Sequence, residues 1–155
     1  MTGAADPKLE PGYWRRKALE ELSQPEWEAL CDGCGKCCLL KLEDEDTGAV
    51  HYTALACHLF DDAACRCRDY ANRRARVPQC LFLTPETVRA EAHWMPRTCA
   101  YRLLAEGRDL FAWHPLISGD PESVHAAGVS MRDRTLSEAA VDPEDAPFYV
   151  LATPL

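Results

Sequence analysis

The sequence lacks the features that would direct it out of the cell or into a membrane. Its N-terminal stretch, MTGAADPKLEPGYWRRKALEELSQ, has no apolar segment behind a basic start, as a secretory signal would have. No uncharged apolar stretch approaches the roughly 18 residues needed to span a bilayer. We therefore expect a cytoplasmic protein that has no membrane partner.

Basic charge is also scarce. Lysine and arginine number 17 against 25 acidic residues, and the formal net charge of -8 would repel a phosphate backbone. The one basic stretch consists of Arg66, Arg68, Arg73, Arg74 and Arg76. Cys67 and Asp69 interrupt it, which indicates a role beside a metal site instead. We expect no nucleic-acid partner, and the sequence identifies no protein partner.

Several familiar site motifs are missing. CGKCC has no histidine for haem attachment, and the acidic run that includes Asp44 lacks the glycine and glutamate of a calcium loop. No βαβ setting surrounds CDGC, as a thioredoxin-like site would require. The histidines His51, His58, His93 and His125 lack ligand spacing, whereas the role of His114 stays open. No catalytic constellation stands out, so the question of enzyme activity also stays open.

Cysteine is what the sequence has in excess. The nine cysteines are Cys31, Cys34, Cys37, Cys38, Cys57, Cys65, Cys67, Cys80 and Cys99. An odd number cannot pair completely, and disulfides are rare in a reducing compartment. Because thiolates gather this densely mainly to share metal, all nine are candidate metal ligands.

The spacing within the run Cys31 to Cys38 allows two kinds of metal site. CxxCxxC supplies three thiolates of one short loop to an iron–sulfur cluster, whose fourth ligand comes from elsewhere. Alternatively, Cys31 and Cys34 join two later cysteines in a tetrahedral zinc site. The spacing and the number of thiols favour iron. We expect the adjacent Cys37 and Cys38 to point apart, and the partition of thiols among metals stays open.

Cations and glycines near the cysteines fit either metal. Lys36, Arg66 and Arg68 are placed to offset the negative charge of a thiolate site. Gly33 and Gly35 allow the tight turns of a metal knuckle.

The pattern of elements predicts a small α+β single domain of short helices and β-hairpins, organised around the metal site. Residues 1–12 are expected to be a flexible tail and residues 13–155 the domain, with the cluster core at 31–99. One helical face runs from Trp14 to Leu22, and a second helix begins at Ser23 with a capping box.

Further elements follow along the chain. LLKLEDEDTGAVHYTAL predicts a hairpin with its turn at 46–48, and the alternation in CRCRDY predicts a strand with Cys65 and Cys67 on one face. Helices are predicted over 84–94 and 97–106, the second turning Cys99 inward, and a strand is predicted over 129–131.

Ordered blocks of sequence carry a family resemblance. They are CDGCGKCC at 31–38, LAC at 55–57, CRCRDY at 65–70, PQC at 78–80, MPRTCAYRLLAEG at 95–107 and WHPL at 113–116. Together they resemble the bacterial CxxCxxCC cysteine-cluster family, described as zinc- or iron-chelating proteins, and its YcgN-like branch. The match covers roughly residues 13–130. The resemblance implies metal chelation by these cysteines in a bacterial cytoplasm, and no established reaction.

The sequence thus predicts a metal-binding protein that chelates iron, as an iron–sulfur cluster, or zinc. Two alternatives stay open at this point. One is a redox or radical enzyme that uses an iron–sulfur cluster, and the other is an interaction module stabilised by structural zinc.

Overall fold

The computed structural model describes residues 9–152, and its Cα positions group into two compact units. The helical unit comprises described residues 9–34 and 83–130. The sheet unit comprises residues 35–82 and 131–152.

The predicted N-terminal tail falls largely outside the part of the chain that the structure describes, because residues 1–8 are not among the described residues. Leu9 packs against the apolar core of the helical unit. The predicted extent of a single domain, 13–155, stays a prediction.

Short helices make up the helical unit, and small sheets with short helices make up the sheet unit, which confirms the predicted α+β class. The α-helices within residues 9–152 are α1 (Tyr13–Arg16), α2 (Gln24–Glu28), α3 (Arg73–Arg76), α4 (Val88–Glu91), α5 (Ala100–Ala105), α6 (Pro115–Ser118) and α7 (Ser123–Ala126). The strands are β1 (Leu39–Glu43), β2 (Val50–Ala56), β3 (Phe60–Asp61), β4 (Arg66–Cys67) and β5 (Leu136–Ser137). Short 3₁₀ segments lie at Leu19–Glu21, Lys36–Cys38, Tyr70–Asn72, Ala92–Trp94, Glu138–Ala140 and Pro143–Tyr149. None of these described helices has the length and apolar character needed to cross a membrane.

The second helix begins where its capping box predicts. The Glu26 N–H donates to Ser23 Oγ at 3.3 Å, and the Ser23 N–H donates to Glu26 Oε1 at 2.8 Å. Each side chain thereby satisfies a backbone N–H that the helix itself leaves without a partner. Lys17 Nζ lies 2.9 Å from the same carboxylate, so α2 is also tied to the chain that precedes it.

Three other helices are shorter than predicted. α5 begins at Ala100 and ends at Ala105, within the predicted range of 97–106. α1 ends at Arg16, because Lys17 is extended and the Ala18 N–H donates to Glu21 Oε2 at 2.7 Å to start a separate 3₁₀ turn. α4 begins four residues after Thr84. The Thr84 N–H donates to Thr87 Oγ1 at 3.0 Å, and the Thr87 N–H donates back to Thr84 Oγ1 at 3.2 Å. Such side-chain bonds compete with the helical hydrogen bonds.

An aromatic core holds the helical unit together. Its buried members are Tyr13, Trp14, Leu19, Trp27, Leu30, Val88, Ala100 and Leu110. The rings of Trp27 and Tyr101 lie 4.7 Å apart, and the Tyr101 hydroxyl donates to the Trp27 carbonyl at 2.8 Å. This packing joins α2 to α5.

A hairpin forms the centre of the sheet unit, as the sequence predicts. β1 and β2 are antiparallel, with Leu39 opposite Ala56 and Glu43 opposite Val50. In the turn, the Asp44 N–H donates to the Ala49 carbonyl at 2.8 Å. β5 adds to the other side of β2 in a parallel direction, so the order of this sheet is β1-β2-β5.

Two strand predictions are wrong. Only Arg66–Cys67 of CRCRDY is a strand, because Cys65 has a left-handed φ of 56° that interrupts the alternation. Cys65 is instead buried in the small core that includes Phe60. No strand forms at 129–131, whereas β5 forms from the exposed pair Leu136–Ser137, which no apolar pattern marks.

Candidate metal centre

The run CDGCGKCC turns at its two glycines. Gly33 and Gly35 have φ values of 81° and 78°, a left-handed backbone that glycine adopts without strain. Asp32 Oδ1 accepts the Cys34 N–H at 3.0 Å, and the 3₁₀ segment Lys36–Cys38 follows Gly35 directly. These turns confirm the predicted bend of the backbone at both glycines.

Gly35 is required for a second reason. A Cβ atom at this position would lie 2.7 Å from Phe60 Cζ and 2.9 Å from Cys65 Sγ. Only a residue without a side chain lets the backbone at position 35 lie this close to the core of the sheet unit.

All nine cysteines lie within the described residues 9–152, and none of them forms a disulfide. Three belong to the helical unit, where Cys34 and Cys99 are buried and Cys31 is half-buried. Cys99 lies at the N-cap of α5 and is turned inward, as predicted.

His114 is a structural residue of the helical unit. Its Nδ1 accepts the Leu116 N–H at 3.0 Å, so the ring proton is assigned to Nε2, which donates to the Leu30 carbonyl at 2.7 Å. Burial lowers the pKa of His114, although the Leu30 carbonyl and the charge of Asp32 oppose the shift. Both nitrogens are therefore occupied, and His114 fixes the backbone one residue before Cys31.

The other six cysteines belong to the sheet unit, and backbone pairing gathers several of them. Leu39 opposite Ala56 is the last pair of the β1–β2 ladder, and the next residues are joined by a 2.8 Å bond from the Cys57 N–H to the Cys38 carbonyl. Cys67 lies opposite Phe60 in the β3–β4 pair. The hairpin end and the β3–β4 pair thus bring distant cysteines towards one place.

Electrostatic effects identify the members of this group, which we call the thiol group. It consists of Cys37, Cys38, Cys57, Cys67 and Cys80. The pKa of Cys38 is raised by a hydrogen bond with the Cys37 side chain, by burial, and by the charges of its neighbours. Burial raises the pKa of Cys57 and Cys80, and neighbouring thiolates raise both further. These thiols are close enough to repel one another when charged.

The arrangement of the Cys37, Cys38 and Cys65 side chains differs from what the sequence predicts. Cys37 and Cys38 do not point apart, because their side chains are hydrogen-bonded to each other. Cys65 is 3% exposed and lies in the apolar core of the sheet unit, against which Cys38 of the thiol group also packs. Its role as a ligand stays a prediction.

Two cations act directly on the thiol group. Lys41 Nζ donates to the Cys37 carbonyl at 2.8 Å, and Arg73 lowers the pKa of Cys80 against the effect of burial. Arg66 and Arg68 are exposed and Lys36 is buried, and their role in offsetting the charge of a thiolate site stays a prediction.

The position of Lys41 only four residues after Cys37 is the sequence signal that could have suggested it. Strand alternation would put Lys41 on the face of Leu39, but the pairing of β1 with β2 shifts register between these two residues. Burial lowers the pKa of Lys41, whereas the nearby thiolates of Cys37, Cys38 and Cys80 favour its charged form.

A histidine and a glutamate lie beside Cys57. The His58 N–H donates to Glu138 Oε2 at 3.1 Å, and His58 Nδ1 lies 3.9 Å from the same oxygen. One donor atom from each of Cys57, His58 and Glu138 lies within 4.8 Å of the others. Sequence reasoning missed Glu138 because it did not predict β5. Two further histidines bond elsewhere, since His93 contacts the Ala90 carbonyl and His125 contacts Ser130 Oγ.

Short helices, small sheets and grouped reduced thiols define a cysteine-cluster domain. A family model named CxxCxxCC, described as "Putative zinc- or iron-chelating domain", matches residues 30–100. The chain belongs to this family, as the sequence resemblance predicts, and its relatives carry the name UPF0260 protein.

The relatives match along most of their length. A UPF0260 protein of Sinorhizobium medicae is 58% identical over 92% of this chain and 92% of its own length. One of Mesorhizobium japonicum is 57% identical over 92% of this chain and 97% of its own, and one of Azotobacter vinelandii is 59% identical over 89% and 91%. No solved structure matches the chain significantly.

Proposed function

We propose that this protein binds iron or zinc through clustered cysteine thiolates. The thiol group of the sheet unit is the observation that carries the proposal. Its members influence one another's pKa, which requires that their sulfur atoms be near each other. Sulfur atoms gathered in this way are the ligands that zinc and iron–sulfur clusters use.

The surroundings of the thiol group suit a metal. Burial raises the pKa of Cys57 and Cys80, a hydrogen bond with Cys37 and burial raise that of Cys38, and neighbouring thiolates raise all three further. Without a cation, charging these buried, neighbouring thiols therefore costs free energy. A metal ion would replace the thiol protons, as ligand deprotonation requires. Lys41 and Arg73 would offset the net negative charge of a four-thiolate site.

Hydrogen bonds to sulfur and to the adjacent backbone would hold the ligands in place. The Leu59 N–H donates to the Cys57 sulfur, and Lys41 bridges the Cys37 and Leu39 carbonyls at 2.8 and 2.9 Å. Such supporting bonds orient metal ligands. They support a site whose backbone is ordered by the β1–β2 hairpin.

Of the two metals, we favour iron held as an iron–sulfur cluster, because the chain offers more thiols than one four-ligand zinc ion can use. A cluster would supply electron-transfer or structural chemistry when bound. The residues of this chain would bind it, exclude water on the buried side and balance its charge.

Metal analysis of anaerobically purified full-length protein tests the proposal. Iron together with acid-labile sulfide and broad visible absorption is the expected result. Colourless protein with stoichiometric zinc would exclude the cluster but keep metal binding. Protein that stays folded with neither metal would contradict the proposed function.

Serine variants locate the site. Cys38→Ser and Cys67→Ser should each lose metal, since each removes a member of the thiol group. Thr47→Ser is the matched control, because it lies in the hairpin turn, at the other end of β1 and β2, and keeps the hydroxyl that accepts the Ala49 N–H at 3.2 Å. Equal metal content in all three variants would show that the thiol group is not the site.

A further inference from the structure

The parallel pairing of β2 and β5 brings unlike side chains to one edge of the sheet. Leu55 lies opposite Leu136 and Ala56 opposite Ser137, and both strands end there. Because parallel strands end at the same edge, the residues that follow them emerge side by side. Those residues are Cys57 with His58 after β2, and Glu138 after β5.

The three side chains converge. One sulfur, one ring nitrogen and one carboxylate oxygen lie within 4.8 Å of one another. The 3.1 Å bond from the His58 N–H to Glu138 Oε2 fixes the carboxylate relative to the β2 end. On the Glu138 side, the Ala139 N–H donates to Ser137 Oγ at 3.2 Å and holds the first turn of the 3₁₀ segment.

Cys57, His58 and Glu138 offer three different kinds of donor atom, whereas the other members of the thiol group offer sulfur alone. Sulfur, imidazole nitrogen and carboxylate oxygen are each a ligand that zinc accepts, and three protein ligands leave a fourth position open. A thiolate and a carboxylate together carry two negative charges, which match a divalent ion. The side chains of His58 and Glu138 are 47% and 40% exposed, so solvent and exchanging metal can reach them.

We propose that Cys57, His58 and Glu138 form a second metal site, which binds one exchangeable zinc ion with an open coordination position. This assignment rests on the proposed function in one respect, because Cys57 also belongs to the thiol group. When Cys57 is assigned to zinc, four members of that group are left: Cys37, Cys38, Cys67 and Cys80. Four is the number of thiolates that a closed zinc site or an iron–sulfur cluster takes.

Zinc titration of the full-length protein, purified with its own metal, tests the proposal. Zn²⁺ alone is added in competition with a chromophoric chelator, and iron, sulfide and total zinc are measured in parallel. Glu138→Gln and His58→Gln should each weaken the binding of one zinc equivalent by more than about 100-fold, beyond the effect of groups that only support a ligand. Cys57→Ser should lose the same equivalent. The remaining thiol-bound metal should stay in Glu138→Gln and His58→Gln.

Matched controls separate this site from general charge effects. Glu144→Gln and His51→Gln make the same chemical changes at other exposed positions of the sheet unit and should bind zinc as the unchanged protein does. Glu138→Gln keeps an oxygen that can accept the His58 N–H, so the edge should stay folded. Glu138→Asp shortens the side chain and gives a second variant that keeps the charge.

The outcomes distinguish this inference from the proposed function. Unchanged zinc affinity in Glu138→Gln and His58→Gln, with thiol-bound metal present, would overturn the second site and leave the proposed function intact. If Cys57→Ser loses the thiol-bound metal while Glu138→Gln binds zinc unchanged, Cys57 is a ligand of the thiol-bound metal. That result would also overturn the second site. Protein without metal at the thiol group would contradict the proposed function itself.

Discussion

The helical unit and the sheet unit are held together by different kinds of interaction. In the helical unit, Trp14, Trp27 and Tyr13 are buried in one continuous apolar cluster. The cluster of the sheet unit is smaller, and one of its members is the thiol of Cys65. The sheet unit also carries six of the nine cysteines and both short sheets. Burial of apolar area can stabilise the first unit, whereas the smaller apolar cluster of the second leaves room for a further source of free energy.

Metal binding is the source that we propose. A structural metal bound by thiolates contributes on the order of 10 kcal/mol to folding, because the unfolded chain has no formed site. The two-stranded β3–β4 pair has only two residues in each strand, too few for stability by itself. The difference between the units therefore predicts that they respond differently to the same perturbations.

Removal of the metal should produce the largest effect. After treatment with a chelator and reductant, amide protection along β1 and β2 should fall strongly, because the ends of both strands lead into the thiol group. Protection in α2 and α5 should fall less, because an aromatic contact joins these helices. Hydrogen exchange read by mass spectrometry, with and without metal, measures both. Equal loss of protection in the two units would contradict the comparison.

Gly35→Ala should have the next largest effect. The left-handed φ of 78° would cost about 1–2 kcal/mol for a residue with a Cβ, and contact with Phe60 and Cys65 would add about 1–3 kcal/mol. We expect the free energy of unfolding to fall by roughly 2–5 kcal/mol in denaturant titrations.

Gly48→Ala is the matched control in the same unit. Its φ is 72°, but no atom lies within 4 Å of the added Cβ, so only the cost of the left-handed backbone applies. The loss should be about 1–2 kcal/mol. If Gly35→Ala costs no more than Gly48→Ala, the close packing of the run against Phe60 does not contribute to stability.

The sequence predicts local features better than it predicts how far an element extends. The capping box at Ser23, the hairpin from β1 to β2 and the turns at Gly33 and Gly35 all depend on neighbouring residues, and all are present. The predicted strand at CRCRDY failed because the burial of Cys65 overrides the alternation of charge and thiol.

For the candidate site, too, the sequence predicts local features better than contacts between distant residues. Cysteine spacing alone identifies the residues, but it does not tell which thiols gather. Glu138 could not be predicted as a neighbour of Cys57. β5 has only two residues, both exposed, and it forms only through pairing with β2. Lys41, by contrast, lies only four residues after Cys37, so its contact with the Cys37 carbonyl is local in sequence. Contacts over a long sequence separation are set by tertiary pairing, which one sequence does not display.

His114→Asn should produce a smaller, local effect in the helical unit. Asparagine can still accept the Leu116 N–H as an N-cap, but it cannot reach the Leu30 carbonyl in place of Nε2. A lost buried hydrogen bond costs about 1–3 kcal/mol of unfolding free energy. We expect this loss in denaturant titrations at pH 7.5, with metal at the thiol group retained.

The pH dependence of this variant has a defined sign. Since burial lowers the pKa of His114 in the folded state, protonation favours the unfolded chain. The contribution of His114 is therefore fully present above its ordinary pKa of 6.5 and declines as pH falls below that value. The difference between the unchanged protein and His114→Asn should shrink between pH 7.5 and pH 5.5. A difference that grows on acidification would show that the folded state raises the pKa of His114 and would contradict the lowered pKa.

The smallest effects are expected from two matched serine-to-alanine variants, one in each unit. Their effects on stability and on zinc binding can be compared directly. Ser23→Ala removes the hydroxyl that caps α2 and should lower the free energy of unfolding by about 1 kcal/mol, without change in metal or zinc binding. Ser137→Ala removes the hydroxyl that holds the turn at Glu138, so it should weaken the exchangeable zinc by about 10–100-fold with little loss of stability. Denaturant titration and zinc competition on both variants measure this. If Ser137→Ala changes stability alone, as Ser23→Ala does, the edge of the β2–β5 pair is structural and the two units differ only in how their cores are built.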